Sequence, residues 1–300
     1  MRKKSHQNGV QFSSDYSAIM WISSKGVTRD HEVEVVNTIR NKLKNKLTFV
    51  GHCFGRYDLI VEFNADSAKV ASNTVCDLQE ELAKKLRISL QKLAEKSRVS
   101  LETEDPICSS LTLGNKLILS PNGGKAEGAH PLKIYSFLKP KRSQINLEKT
   151  ISYLDSTMEI SWITSTYSFL FTMVGSNFYE IFKKFLDFRI KTQCYFQESC
   201  TYVGLDFDSD DAEMPSHIQA ATFLKLSKGF GDFRLKNDEK DDWEPPKKRM
   251  GWADICLTPK NKHSLRKLKD TIMKLREKHL GELATTSTLL MLCEGENEDK

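Results

Sequence analysis

Apolar and polar positions in this chain follow two rhythms, and the rhythms succeed one another in a recurring order. The stretch Y-S-A-I-M-W-I-S-S from Tyr16 reads as a strand. From Asp30, Val33, Val36, Ile39 and Leu43 recur at spacings of three and four, which predicts a helix. Residues 47–53 and 57–63 read as two strands joined by a tight turn through Phe54 and Gly55. A long helical stretch from Ser67 carries Val70, Leu78, Leu82, Leu86, Leu90 and Leu93 on one face, and residues 107–113 close the run as a strand. The order is βαββαβ.

The same order returns with less material. Residues 132–138 predict a strand, 147–154 a helix, 160–165 and 168–174 a strand pair, and 194–203 a final strand. Residues 178–190 between them predict a helix, with Phe178, Ile181, Phe182, Phe185 and Leu186 at helical spacing. A third run opens with a strand over 218–226 and ends with a strand over 253–257, a helix over 265–278 and a strand over 286–292. Its first helix is replaced by residues 233–249, where Pro245, Pro246 and dense charge argue against regular helix, so this unit is abbreviated.

Stretches rich in turn formers or charge, without apolar periodicity, separate the runs. They divide the chain into a basic tail (1–15), a first unit (16–113), a linker (114–130), a second unit (131–205), an acidic linker (206–216), a third unit (217–293) and an acidic tail (294–300). The predicted class is α+β: tandem ferredoxin-like units with antiparallel sheets packed against one another. Apolar pairs at strand spacing, Ile19 with Trp21, Leu59 with Val61 and Phe169 with Phe171, are what such packed faces require.

One short step recurs at the head of the strand before each second helix. It is G-R-Y-D at Gly55, Arg56, Tyr57 and Asp58, S-T-Y-S from Ser165 to Ser168, and G-W-A-D at Gly251, Trp252, Ala253 and Asp254. Architecture alone gives one reading: glycine supplies a positive φ in a hairpin, and aspartate hydrogen-bonds nearby backbone. The other reading is a ligand turn, whose amides receive a carboxylate while Asp58 or Asp254 receives an ammonium group.

The element order, this glycine, tyrosine and aspartate step, and a last strand entered through Thr286 and Thr288 together resemble the effector-binding domain of the Lrp/AsnC family of prokaryotic feedback regulators. The likeness spans most of residues 16–292 in about three degenerate copies; the middle one has Ser165 and Ser168 at the glycine and aspartate slots. It implies a non-enzymatic, transcription-regulatory protein that senses a small effector of the amino-acid class or binds a regulatory partner. Gly55, Arg56, Tyr57, Asp58, Gly251, Trp252, Asp254, Thr286 and Thr288 would then be ligand-binding. The family's helix-turn-helix has no counterpart in the fifteen residues ahead of the first strand, so sequence-specific DNA binding is not expected.

Composition narrows the class. With 45 Lys+Arg against 40 Asp+Glu the net charge is +5, too mild to establish nucleic-acid binding, and 39% hydrophobic with 28% charged residues describes a soluble globular protein. No apolar run reaches the roughly 18 to 20 residues of a membrane span and the N-terminus lacks a secretory apolar segment, so a cytoplasmic protein is expected. The seven cysteines are scattered without a C-x-x-C pair and read as reduced structural thiols. His52 and Cys53, adjacent on a strand, point to opposite faces and do not share a metal easily.

No metal, cofactor or catalytic constellation is expected. K-G-F-G-D-F, from Lys228 to Phe233, has its aromatic run interrupted by Asp232, against base stacking, and P-P-K-K-R from Pro245 is offset by neighbouring acids. Two alternatives stand beside the effector reading. One is an enzyme of the dimeric α+β-barrel type, with a cavity, sometimes haem-containing, between two ferredoxin-like sheets; His263 and His279, which bracket a basic face, are poorly placed for it. The other is a nucleic-acid-binding adaptor. Self-association or a protein partner through the sheet faces fits the same pattern.

Overall fold

The computed structural model describes residues 11–24, 29–97, 107–118, 130–141, 147–163, 166, 168–209, 218–244, 251–260, 264–279 and 281–292. The first run is β1 (Gln11–Ser24), α1 (Arg29–Leu43), β2 (Leu47–Phe54), β3 (Leu59–Ala65), α2 (Ala68–Ser97) and β4 (Ile107–Ile118). The second is β5 (Leu132–Pro140), α3 (Leu147–Ile151), β6 (Met158–Ile163), β7 (Ser168–Gly175), α4 (Phe178–Thr192) and β8 (Phe196–Asp206). The third is β9 (Ile218–Leu226), α5 (Asn237–Asp242), β10 (Ile255–Leu257), α6 (Leu265–Lys278) and β11 (Leu283–Leu292). The six-residue α5 lies where no helix was expected. Ser165, Tyr167 and the segment Pro245 to Arg249 lie outside the described residues.

Strand order departs from separate tandem units. β4-β1-β3-β2 and β8-β5-β7-β6 are two ferredoxin-like sheets, and they are joined edge to edge into one closed eight-stranded antiparallel barrel. One seam pairs β2 with β8, from Gly51 opposite Asp206 to Phe54 opposite Val203; the other pairs β4 with β6 at Asn115 and Lys116. The expected packing of one sheet on another is thus replaced by closure, which leaves the barrel without a free edge.

Alternation along each strand assigns the two faces. Ala18, Met20 and Ile22 of β1, with Leu59, Val61 and Phe63 of β3, pack with Val35, Val36, Ile39 and Leu43 of α1 and Leu78, Leu82 and Leu86 of α2. Val33, predicted on the buried face of α1, is exposed. In the second half Ile134, Phe169, Phe171 and Met173 pack with Phe178, Ile181, Phe185 and Phe188 of α4. The opposite faces turn inward, where Ile19, Trp21, Phe49, Cys53, Ile60, Tyr135, Ile163 and Leu170 form a core of their own. An eight-stranded barrel is just wide enough for side chains to fill.

The third run forms a three-stranded sheet, β10-β9-β11, and α6 lies between this sheet and the barrel wall. Leu265, Leu268, Ile272 and Leu275 of α6 share a core with Leu224, Leu226, Ile255 and Leu257, whereas Lys269 and Arg276 reach the β2–β3 hairpin. Among the described residues no helix is long and apolar enough to cross a membrane.

The β2–β8 seam depends on a missing side chain. A Cβ at Gly51 would stand 2.3 Å from the Leu205 carbonyl oxygen, which is backbone and cannot rotate away. Gly51→Ala is therefore expected to lower stability by about 1–3 kcal/mol in denaturant unfolding. Gly231→Ala, whose Cβ would meet nothing within 4 Å, should stay within about 0.5 kcal/mol of the parent.

Candidate functional site

The barrel interior divides into an aromatic end and a polar end. β1 and β5 stand on opposite sides of the ring of strands, so contacts between them cross the axis. Trp21 of β1 makes such contacts with Tyr135 and Phe137 of β5, at ring-centroid separations of 5.5 and 6.0 Å, and lies 4.8 Å from Tyr202 and 5.6 Å from Tyr57. Its indole N–H donates to Thr112 Oγ1 at 3.0 Å, and Ser110 Oγ donates to the Tyr57 hydroxyl at 3.1 Å. At the other end Glu62 accepts from Ser17 Oγ at 3.0 Å, from the Tyr135 hydroxyl at 3.3 Å and from the ammonium of Lys133.

At the aromatic end the barrel is open. Ser110, although inward-facing, is exposed, and Tyr57, Thr112, Phe137, Cys200 and Tyr202 are half-buried. Gly55 makes this rim tight, for a Cβ there would stand 2.5 Å from the Tyr202 ring, and its φ of +149° is one that side-chain-bearing residues rarely adopt.

Behind the rim lies a buried ionic cluster. The Asp58 amide donates to Ile22 O at 2.7 Å, and Asp58 Oδ2 accepts from the amide and hydroxyl of Ser24 at 2.8 and 3.0 Å. Asp58 Oδ1 accepts from Arg276 Nη2 at 2.6 Å; the guanidinium also bonds Thr286 Oγ1, and Nη1 donates to Ser24 Oγ at 3.3 Å. Lys269 Nζ donates to Asp58 O at 3.2 Å and stands 3.3 Å from Glu32 Oε1, which is 3.5 Å from His52 Nδ1. Neither contact of Glu32 Oε1 is aligned as a hydrogen bond, so its attraction to the Lys269 ammonium is chiefly between charges.

The recurrent aspartate now has a physical account. Asp254 repeats the arrangement of Asp58: its amide donates to Leu224 O at 2.9 Å and its Oδ2 accepts from the Leu226 amide at 3.0 Å. In both runs the carboxylate satisfies the amide two residues beyond the one whose carbonyl its own amide uses, tying off the first strand rather than its own turn. The predicted site residues therefore fall into two groups. Gly55, Tyr57, Asp58, Thr286 and Thr288 line one crevice together with Cys53 and Lys269. Gly251 and Trp252 are exposed ahead of β10, where the Trp252 ring lies 6.2 Å from Phe223, and Arg56 is exposed.

Sequence reasoning missed Trp21, Phe137 and Tyr202 as one cluster, and Glu32, Lys269 and Arg276 as another. Lys269 and Arg276 carried a readable signal, since they stand seven residues apart among the apolar positions of α6.

Burial sets the charge states. Burial raises the Glu32 carboxyl, but Lys269, His52 and Arg276 outweigh it and bring the group down to about 2. The Cys53 thiol is pushed far up by burial despite Lys269, and the Tyr202 phenol is raised by burial and by Cys200. Tyr135 is raised by burial and by Glu62. These neutral groups face the barrel interior, whereas the ionic cluster lies outside it.

No family model and no curated protein matches the chain. Similar solved structures include a mutant chlorite dismutase from Candidatus Nitrospira defluvii, at 11% identity and TM-score 0.44, over 65% of this chain and 92% of that one. A heme-binding protein from Thermus thermophilus is similar at 6% identity and TM-score 0.46, over 67% and 94%. A putative chlorite dismutase follows at 9% identity and TM-score 0.38, over 65% and 95%. At such scores the likenesses carry no function across.

The Lrp/AsnC resemblance is corrected. These neighbours are chlorite dismutase-type and heme-binding proteins rather than effector domains, and the two units that resembled such domains are halves of one barrel. Amino-acid sensing and transcription regulation fall with it, because the motif behind them serves strand termination. The two-sheet barrel of the alternative reading stands closer. Its haem does not suit the residues present: rings cross the axis, and His52, the one histidine on the eight barrel strands, lies outside against Glu32 and Phe207.

Asp58→Asn leaves a guanidinium that is 1% exposed without its carboxylate, and should cost about 3–5 kcal/mol in denaturant unfolding. Ser24→Ala, which removes one neutral donor, should cost about 1 kcal/mol.

Glu32 makes an acid limb. Its folded pKa of about 2 lies below the ordinary 4.5, so its contribution is complete above about pH 5 and is lost as pH falls toward 2. The stability lost over that range should reach about 3 kcal/mol, and Glu32→Gln should flatten that part of the stability–pH curve.

Proposed function

We propose that this protein binds a small, planar, uncharged ligand non-covalently at the aromatic mouth of its barrel, over the half-buried rings of Tyr57, Phe137 and Tyr202. The observation that carries the reading is the exposure of inward-facing Ser110 above half-buried rings, in a barrel whose remaining interior is closed by its own side chains. Apolar surface with a few convergent polar groups is the usual lining of a small-molecule site. Aromatic faces favour stacked or edge-on planar partners, and the Ser110 and Thr112 hydroxyls supply orientation.

Electrostatics favours a neutral ligand and argues against covalent chemistry. Burial keeps the Tyr202 phenol and the Cys53 thiol protonated, and a protonated thiol is a poor nucleophile. The compensating charges sit elsewhere, with Glu62 and Lys133 at the far end and Asp58 with Arg276 behind the hairpin. In this reading the third run is an abbreviated ferredoxin-like unit that caps the barrel.

Calorimetric titration with 1-naphthol and with 1-naphthoate tests the proposal on the full chain. The phenol should bind and the carboxylate should bind far more weakly, and Phe137→Ala should weaken the phenol by about tenfold, the worth of one aromatic contact. Equal affinity for the two probes, or a Phe137→Ala variant that binds as the parent does, would refute it.

A further inference from the structure

We infer that the C-terminal sheet sets ligand affinity at the barrel mouth, with Arg276 and Ser287 as positioning residues that act through the hairpin carrying Tyr57. The inference rests on the mouth being the ligand site, and it adds a second element, remote in sequence, on which that site depends.

Tyr57 sits between two anchor points, and both are gripped by the third run. On one side the Gly55 carbonyl accepts from Ser287 Oγ at 2.6 Å and from the Thr288 amide at 3.0 Å, both on β11. On the other side Asp58 is held by Arg276 through its carboxylate and by Lys269 through its carbonyl, both on α6. The remaining ties of the hairpin are internal to the barrel: Cys53 N to Asp58 O at 2.8 Å, Asp58 to the end of β1, and Ser110 Oγ of β4 to the Tyr57 hydroxyl at 3.1 Å.

Four contacts from one module converge on this four-residue turn. Their effect at the mouth is geometric. Gly55 lies against the Tyr202 ring, and Tyr57 lies 5.7 Å from Tyr202 and 5.6 Å from Trp21. A displacement of the turn therefore moves the Tyr57 ring relative to the other three rings, which stand on barrel strands. Arg276 is suited to this task because a planar guanidinium reaches Ser24, Asp58 and Thr286 at once, joining β1, the hairpin and β11.

The test uses the full chain, with 1-naphthol titration, thermal unfolding and amide hydrogen exchange read on Ser287→Ala, Arg276→Lys and Phe137→Ala. Ser287→Ala should weaken 1-naphthol by about fivefold, as for one lost hydrogen bond, and leave the unfolding temperature almost unchanged. Arg276→Lys should weaken it by about tenfold or more, since three donors in a fixed fork are replaced by a point charge. In both variants the Cys53 and Asp58 amides should exchange faster. Phe137→Ala should lower affinity with those amides protected as in the parent. If Ser287→Ala and Arg276→Lys both bind within twofold of the parent, the positioning role is wrong while the mouth reading stands. If the parent itself does not bind 1-naphthol, the mouth reading fails and takes the positioning role with it.

Discussion

Barrel strands such as β1, β2 and β5 carry apolar side chains on both faces, and such a sheet cannot leave either face in water. The helices cover the outer faces, as in any ferredoxin-like unit, and that leaves two inner faces unsatisfied. Closing the two sheets edge to edge covers both faces and consumes all four edges in one step. The seams are short, four residue pairs on one side and two on the other, so they serve chiefly to hold the inner core together. Gly51 shows how closely the chain approaches itself to make this work.

Closure also decides where polar groups can sit. Inside the barrel, Glu62 and Lys133 are taken out of water together, with Ser17 and Tyr135 satisfying the carboxylate further. Outside it, where α6 covers β2, two carboxylates and two cations share one buried patch: Glu32 and Asp58 with Lys269 and Arg276. Such groups add little net stability compared with apolar substitutes, but each becomes costly if its partner is removed. They act as a lock on register, because only one placement of the third run pairs all four charges. A displaced α6 would strand at least one of them.

Much of this was legible in the sequence at the level of elements. The helix over 265–278 and the strand over 218–226 fall where periodicity put them, since each alternates cleanly and is bounded by turn formers or charge. The recurring glycine-to-aspartate step marked a local arrangement shared by Asp58 and Asp254. Its physical cause, a carboxylate capping the end of the first strand, could not be read from one-dimensional spacing, because the amide it caps lies 34 residues away at Ser24 and 28 away at Leu226. The same motif therefore supported a family likeness whose functional content did not follow. Barrel closure was illegible for a related reason: nothing in Gly51 to Phe54 or in Asn115 and Lys116 distinguishes a seam strand from an exposed edge. The aromatic cluster escaped because its members come from β1, β5, β8 and a hairpin, each contributing one ring.

The filled interior bears on what such a barrel can hold. Two facing ferredoxin-like sheets enclose a cavity only if inward positions are small or set back, and here large side chains of both halves meet across the axis. Trp21 crosses to β5, Phe49 lies 6.4 Å from Tyr135, and Lys133 lies 5.7 Å from the Phe49 ring. A cofactor at the centre would have to displace at least Trp21 and Tyr135, both almost wholly buried, and losing contacts of that size costs several kcal/mol. Ligand binding is thereby confined to the rim. There, the hairpin that carries Tyr57 is held both by barrel strands and by hydrogen bonds from a different sheet. The third run is then more than a cover: through Arg276, Lys269, Ser287 and Thr288 it adds a second set of ties to the hairpin at the rim.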